Sequence, residues 1–153
     1  MNNLKRAIGV IAFILLMATS AHAFPGIGNA EMLSPEKGFL RIPLSEINDG
    51  TAHFFQVKAD DGITVTFFTL KSKDGVIRSA VDACDVCYRS GKGYRQAGDF
   101  MICGNCGMRF RSDRINEVSG GCNPAPLKRV IEGEHLVIDM KEINAMSWYC
   151  KFK

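Results

Sequence analysis

The chain has 153 residues, of which 46% are hydrophobic and 23% charged, and this size and composition suit a single globular domain. The formal net charge is only +3, and the lysines and arginines are spread along the chain. A protein that follows a phosphate backbone needs a basic stripe or patch, so this distribution gives no support for nucleic-acid binding.

The first 23 residues have the layout of a secretory signal peptide. Lys5 and Arg6 form a positive start, residues 7–18 are an apolar run, and 21–23 (Ala-His-Ala) form a small-x-small cleavage pattern. The apolar run is shorter than the ~20 residues that span a bilayer as a helix. We therefore predict an exported protein whose signal peptide is removed; the alternative is an uncleaved anchor that associates with the membrane through residues 4–20.

Residues 24–37 are rich in glycine and proline and predict a flexible leader before a single β-rich domain, residues 38–153. Short runs of β-branched and aromatic residues then alternate with Asp-Gly turns, which is typical of an antiparallel meander. The predicted strands are 39–42, 52–59, 63–70 and 76–81, with 44–47 as a turn.

A loop-rich cysteine module, residues 84–122, follows the meander and contains seven glycines and one predicted strand, 100–102. Such a stretch is expected to bury little apolar surface of its own, so something other than a core must hold it together, and bound metal is the usual answer in a small module. Residues 127–131 and 135–140 then predict a closing hairpin. Residues 148–150 predict a last strand, and the predicted fold class is mainly β.

Five of the six cysteines lie in this module, in a regular arrangement. They are Cys84 and Cys87, Cys103 and Cys106, and Cys122 within a Gly-Gly-Cys-Asn-Pro segment. Two residues between cysteines let a tight turn direct both sulfurs at one point, and two such pairs match the four-cysteine pattern of a metal site. Gly107 after the second pair strengthens this interpretation, because a backbone that curls around a metal needs a residue tolerant of positive φ.

The spacing leaves the identity of the bound group open. Cys84, Cys87, Cys103 and Cys106 could form a closed zinc site with Cys122 as a spare. Four thiolates also suit an iron–sulfur cluster, a single iron or copper(I). The start of the chain has no twin-arginine motif, and export as an unfolded chain would deliver the protein without a cluster, which keeps mononuclear zinc, iron or copper open.

Two other chemistries use cysteines differently. Three disulfides are the ordinary expectation for six cysteines in an exported protein, although close pairs at matching intervals favour metal. A thiol oxidoreductase would have its Cys-x-x-Cys pair at the start of a helix, and no convincing helix follows either pair. Cys150 lies in an apolar stretch and is predicted to be a buried free thiol that packs as a small hydrophobe.

The central stretch AVDACDVCYRSGKGYRQAGDFMICGNCGMRFRSDRINEVSGGCNPAPL resembles the FtrD-like membrane iron–sulfur proteins of bacterial iron-uptake systems. The upstream segments RIPLSEINDGTAHFF and KSKDGVIRSA are also similar to that family, so the resemblance covers residues 38–138. Several relatives carry a multi-helix membrane region, whereas this chain has only the signal-like segment.

The resemblance implies an iron–sulfur cluster and a role as a one-electron relay during iron transport. The implied partners are a high-affinity iron permease, a periplasmic iron- or copper-binding protein and a cupredoxin-like protein. The implied ligands are Cys84, Cys87, Cys103, Cys106 and Cys122. The implied location is the periplasm or the outer face of the inner membrane. The alternative function is a structural module, held by zinc or disulfides, that binds a partner without redox chemistry.

Overall fold

The computed structural model describes residues 30–153, so the predicted signal peptide (1–23) and residues 24–29 of the predicted leader lie outside the described residues. The protein is mainly β, with three sheets and two short α-helices in this part of the chain. The strands are β1 (Glu31–Met32), β2 (Phe39–Pro43), β3 (His53–Lys58), β4 (Thr64–Lys71), β5 (Ile77–Val81), β6 (Tyr94–Ala97), β7 (Phe100–Cys103), β8 (Arg109–Arg111), β9 (Val130–Glu132) and β10 (His135–Asp139). The helices are α1 (Leu44–Ile47) and α2 (Met140–Met146). No helix within residues 30–153 combines the length and the apolar character needed to cross a membrane.

The first sheet has the order β1-β3-β4-β5 and contains the predicted meander. β3 pairs with β4 and β4 with β5, both antiparallel. The two connecting turns place Gly62 and Gly75 at φ +84° and +83°, as the Asp-Gly signals predicted. β1 lies in the described part of the predicted leader and pairs in parallel with β3, which joins that segment to the sheet.

The second sheet, β2-β10-β9, corrects the prediction that the meander begins at Phe39. β2 pairs with β10 near the end of the chain, with Leu40 opposite Ile138 and Ile42 opposite Leu136. All four of these side chains are buried, so the pairing closes the main core. Pro43 is the last residue of β2, which is an outer strand of its sheet, where a residue without a backbone N–H is tolerated. The predicted turn at 44–47 is the short helix α1.

β4 is the central strand of the molecule because both of its faces are covered. Val65 and Phe67 belong to the main core, which they share with the second sheet. Phe68 and Leu70 point the other way, into a second core shared with the third sheet, β6-β7-β8. The sheets therefore form three layers with the first sheet in the middle. Full burial of each phenylalanine contributes about 1.5–3 kcal/mol relative to an exposed side chain.

The third sheet shows that the cysteine module buries more apolar surface than predicted. Tyr94, Met101 and Ile115 are each no more than 2% exposed and pack in the second core. The prediction of little apolar burial was wrong because these large side chains are separated by polar loops and converge only when the module folds onto β4. Apolar packing in the second core therefore helps to hold the module in place, whatever the cysteines bind.

The C-terminal part differs from its prediction in two ways. The first strand of the closing hairpin begins later than predicted, because the Leu127 N–H donates to the Ser79 carbonyl (3.1 Å) beside β5. The predicted strand at 148–150 was wrong: residues Ser147–Cys150 form a 3-10 helix that continues from α2. Cys150 is 3% exposed, unbridged and packed in the main core, which confirms the prediction of a buried free thiol.

Arg78 ties the first sheet to the cysteine module. Its side chain is 5% exposed and donates to the Ile115 carbonyl at 2.9 Å and to the Glu117 carboxylate at 2.9 Å. The same guanidinium donates to the Asp74 carboxylate at 2.7 Å. A buried guanidinium needs hydrogen-bond partners, and this network supplies them from both the first sheet and the cysteine module.

This network predicts acid sensitivity between pH 4 and pH 2. The Ser72 hydroxyl and then the Arg78 guanidinium lower the pKa of Asp74 from 3.8 to about 2. A folded-state pKa below the unfolded value adds stability above the unfolded pKa, and this stability is lost as the pH falls through the folded pKa. Urea unfolding should show that the difference in free energy of unfolding between the wild-type protein and Asp74→Asn shrinks as the pH is lowered from 4 to 2. A difference in the free energy of unfolding that stays constant over this pH range would contradict the lowered pKa of Asp74.

Candidate metal centre

The first cysteine pair lies just after β5. The Cys87 N–H donates to the Cys84 sulfur at 3.2 Å, and the Tyr88 N–H donates to the Cys84 carbonyl at 3.1 Å. Tyr88 then begins a three-residue 3-10 helix. The turn thereby directs both sulfurs to the same side, with an N–H group placed to stabilise a thiolate.

The second pair begins at the end of β7 and repeats this design. The backbone N–H groups of Cys106 and Asn105 hydrogen-bond the Cys103 sulfur. The Gly107 N–H donates to the Cys103 carbonyl at 2.9 Å, which is the counterpart of the bond that closes the first turn. Gly107 has φ +73°, as its position predicted, and this conformation directs the chain into β8.

Neither pair lies at the start of an α-helix, which disfavours the thiol oxidoreductase interpretation. The first pair is followed by a 3-10 helix of three residues and the second by strand β8. The thiolate of a Cys-x-x-Cys redox enzyme is stabilised by the N-terminus of the helix that follows it. That source of stabilisation is absent at both pairs.

A third segment brings Cys122 to the two pairs. The Ala125 N–H donates to the Ala83 carbonyl at 3.0 Å, and the Val81 N–H donates to the Ala125 carbonyl at 2.8 Å. These two hydrogen bonds hold the segment after Cys122 alongside the end of β5. The Tyr94 hydroxyl donates to the Cys122 carbonyl at 2.6 Å and so helps to hold the Cys122 loop in place.

The five predicted cysteines come together in two overlapping groups. Within each group the three sulfurs lie within 4.8 Å of one another. The inner group is Cys84, Cys87 and Cys103, and the outer group is Cys87, Cys106 and Cys122. Cys87 belongs to both. The four cysteines expected to form a zinc site are thus divided between the groups, and Cys122, expected as a spare, joins the outer one.

Burial changes across the centre. The three inner sulfurs belong to buried residues of the second core, whereas Cys106 is exposed and Cys122 is half-buried. All six cysteines of the described residues are free thiols, so no disulfide divides the cluster. The centre therefore has an insulated inner side and an outer edge at the surface.

Burial and the neighbouring sulfurs change the pKa values of three of the clustered thiols. Burial raises the pKa of Cys103 to about 11. Burial, together with the neighbouring sulfurs of Cys106 and Cys87, raises the pKa of Cys122 to about 12. The Met108 N–H lowers the pKa of Cys106. Several thiolates can share this space only if a cation compensates their charge, and an all-sulfur set suits thiophilic metals and iron–sulfur clusters.

Several supporting residues carry no signal in the sequence. The Asn105 amide donates to the Cys87 sulfur at 3.4 Å. The Tyr149 hydroxyl donates to the Asp85 carboxylate inside the first pair, and burial raises the pKa of that tyrosine. The Tyr88 ring packs edge-on against Trp148 at 5.2 Å between centroids. The C-terminal residues thus cover the first pair, a contact between segments some sixty residues apart that local patterns do not reveal.

Comparison with solved structures gives a partial likeness. The fold is similar to a quaternary ammonium Rieske monooxygenase, CntA, with a TM-score of 0.45 and 18% sequence identity. The match covers 69% of this chain, which spans only 32% of the length of that enzyme chain. No curated protein matches the chain.

The family comparison is more extensive. The model described as "Membrane iron-sulfur containing protein FtrD-like" matches residues 47–149, a stretch that includes all five clustered cysteines. The resemblance found in the cysteine motifs is confirmed by this match, and the chain belongs to the FtrD-like family of membrane iron–sulfur proteins.

Proposed function

We propose that the clustered cysteines hold an iron–sulfur or metal centre that relays single electrons in an exported accessory to an iron permease. The observation that carries this proposal is the meeting of five sulfurs from three chain segments in two groups that share Cys87. Membership in the FtrD-like family also supports the proposal, because the family is described as iron–sulfur proteins. The proposed ligands are Cys84, Cys87, Cys103, Cys106 and Cys122.

The gradient of burial supports electron transfer rather than turnover of a substrate. The inner sulfurs are insulated by the second core, and the outer edge at Cys106 reaches the surface. A centre in this position exchanges electrons with a partner without exposing its inner side to water. Full ligation by protein sulfurs leaves no open position of the kind that catalytic metals keep.

When bound, an iron–sulfur cluster supplies reversible one-electron chemistry. The chain's own residues hold the sulfurs and donate hydrogen bonds to them. The N–H of Cys87, the side-chain amide of Asn105 and the N–H of Met108 are placed to do so. Hydrogen bonds to ligating sulfur are one of the means by which proteins set the potential of such a centre.

The proposed partners are the iron permease and periplasmic iron- or copper-binding proteins, and the proposed location is the periplasm or the outer face of the inner membrane. Membership in a family described as membrane iron–sulfur proteins supports this location. Val86 and Met108 adjoin the ligands in sequence and are 64% and 53% exposed. They give the outer edge an apolar surface that a protein partner could contact.

The test is a redox titration of protein purified anaerobically. The proposal predicts visible absorption that bleaches and recovers with one electron per centre, and the same behaviour in Cys150→Ala, whose thiol lies in the other core. Colourless protein with stoichiometric zinc would contradict the relay and support a structural zinc module that binds a partner. Recovery of no free thiols after denaturation would instead support the disulfide-held form.

A further inference from the structure

A second candidate site lies beside the cysteine centre, in a pocket of about 270 Å³. Its lining residues are Arg109, Phe110, Arg111, Arg114, Ile115, Val118, Asn123 and Pro124. Asn123 and Pro124 follow Cys122 directly, so one wall of the pocket is the loop that carries the outermost part of the centre. The volume is slightly below the ~300–1,000 Å³ of sites for drug-sized ligands, which suits a small molecule.

The charges of the lining are all positive. Three arginines line the pocket and no carboxylate does. Arg111 is tied to Asp113, whereas Arg109 and Arg114 have no carboxylate within 4.0 Å among residues 30–153. Two unpaired guanidinium groups at one concave site are available to an anion.

The pocket is held in position by the fold. The Arg109 guanidinium stacks over the Phe100 ring at 4.6 Å, which orients the group without using its N–H donors. Asn116 adopts φ +68° and its side chain bonds the backbone of Ser79 through both its oxygen (3.0 Å) and its nitrogen (2.7 Å). These bonds hold the segment that carries Arg114 against β5. The site is therefore ordered before a ligand binds, and ligand binding does not have to offset the entropy lost in ordering it.

Apart from Asn123, the rest of the lining is apolar. Phe110, Ile115, Val118 and Pro124 offer carbon surface between the arginines. An inorganic anion leaves such surface uncovered, whereas an organic anion covers it. The planar fork of a guanidinium matches a carboxylate through two parallel hydrogen bonds.

We propose that this pocket binds a small organic dicarboxylate, one carboxylate pairing with Arg109 and the other with Arg114, with the carbon skeleton against Phe110 and Pro124. The proposal does not depend on which metal the cysteines hold. A bound dianion would lie next to the Cys122 loop and so next to the outer edge of the centre.

Calorimetric titration of the metal-loaded protein with glutarate tests the proposal. We expect saturable one-to-one binding with a Kd below about 1 mM, and inorganic phosphate and acetate should bind at least about tenfold more weakly. Arg114→Gln should weaken glutarate binding by about tenfold or more, because it removes the charge-assisted hydrogen bonds to one of the two carboxylates. The free energy of unfolding of this variant should not change.

The matched control is Arg95→Gln, which removes an exposed arginine of β6 that does not line the pocket. Glutarate binding to Arg95→Gln should stay within about twofold of the wild-type value, because surface substitutions away from the site have small effects. Equal losses in the two variants, equal binding of phosphate and glutarate, or the absence of saturable binding would each overturn the proposal.

Discussion

Replacement of Cys87 by serine is expected to remove the bound metal more completely than replacement of any other cysteine. Cys87 is the one sulfur common to both three-cysteine groups, so its loss leaves two sulfurs in each. Loss of Cys84 or Cys122 leaves one group of three intact. Because even outer-shell substitutions cost about 10–100-fold in metal affinity, loss of a shared ligand should cost more than about 100-fold.

Metal content per chain, measured on anaerobically purified variants, checks this expectation. The matched control is Cys150→Ala, which removes a buried thiol from the main core and not from either sulfur group. It should keep its full metal content and lose about 1 kcal/mol of stability through the small cavity left behind. A Cys87→Ser protein with full metal content would contradict the shared role of this residue.

Replacement of Gly93 by alanine is expected to cause the largest loss of stability of any single glycine substitution in the cysteine module. Gly93 has φ +60°, and a Cβ there would lie 2.1 Å from an Asp82 carboxylate oxygen. That carboxylate is buried, accepts a hydrogen bond from the Tyr94 N–H at 2.6 Å and pairs with Lys153. It cannot move aside without breaking this pair, which costs about 3–5 kcal/mol when a buried charge loses its partner.

The substitution should also disturb the centre. The Gly93 carbonyl accepts the Gly104 N–H at 2.7 Å, inside the second cysteine pair. Urea unfolding should therefore show a loss of at least about 3 kcal/mol, accompanied by weaker retention of metal.

Gly98→Ala is the matched control for this substitution. Gly98 has a similar φ of +55°, but a Cβ there meets no atom within 4 Å. Only the strain of a left-handed alanine remains, about 1–2 kcal/mol. Equal losses in the two variants would show that the Asp82 contact does not matter.

The parts of the fold that the sequence predicted are those set by neighbouring residues. The strands of the meander and their glycine turns follow from alternation and from Asp-Gly signals, and the spacing of the cysteines predicts their convergence. β4 is a clear case, because its run of β-branched and aromatic residues (TVTFFTLK) favours a strand, and six of its eight residues are buried.

The parts that were missed depend on contacts between distant segments. The pairing of β2 with β10 joins residues almost a hundred positions apart, and nothing in the Phe39–Pro43 sequence specifies its partner. The 3-10 helix at Ser147–Cys150 carries aromatic residues that locally favour a strand, but the preceding helix α2 and the contact of Tyr88 with Trp148 stabilise the turn. The support of the centre by Tyr94 and Asn105 is likewise tertiary.

X-ray absorption at the edge of the bound metal, on full-length protein purified anaerobically, tests the sulfur centre most directly. We expect a first coordination shell of sulfur alone at about 2.3 Å, and loss of that signal in Cys87→Ser but not in Cys150→Ala. A first shell dominated by nitrogen or oxygen at about 2.0–2.1 Å would contradict the account. Metal-free protein with its cysteines joined in disulfides would contradict it equally.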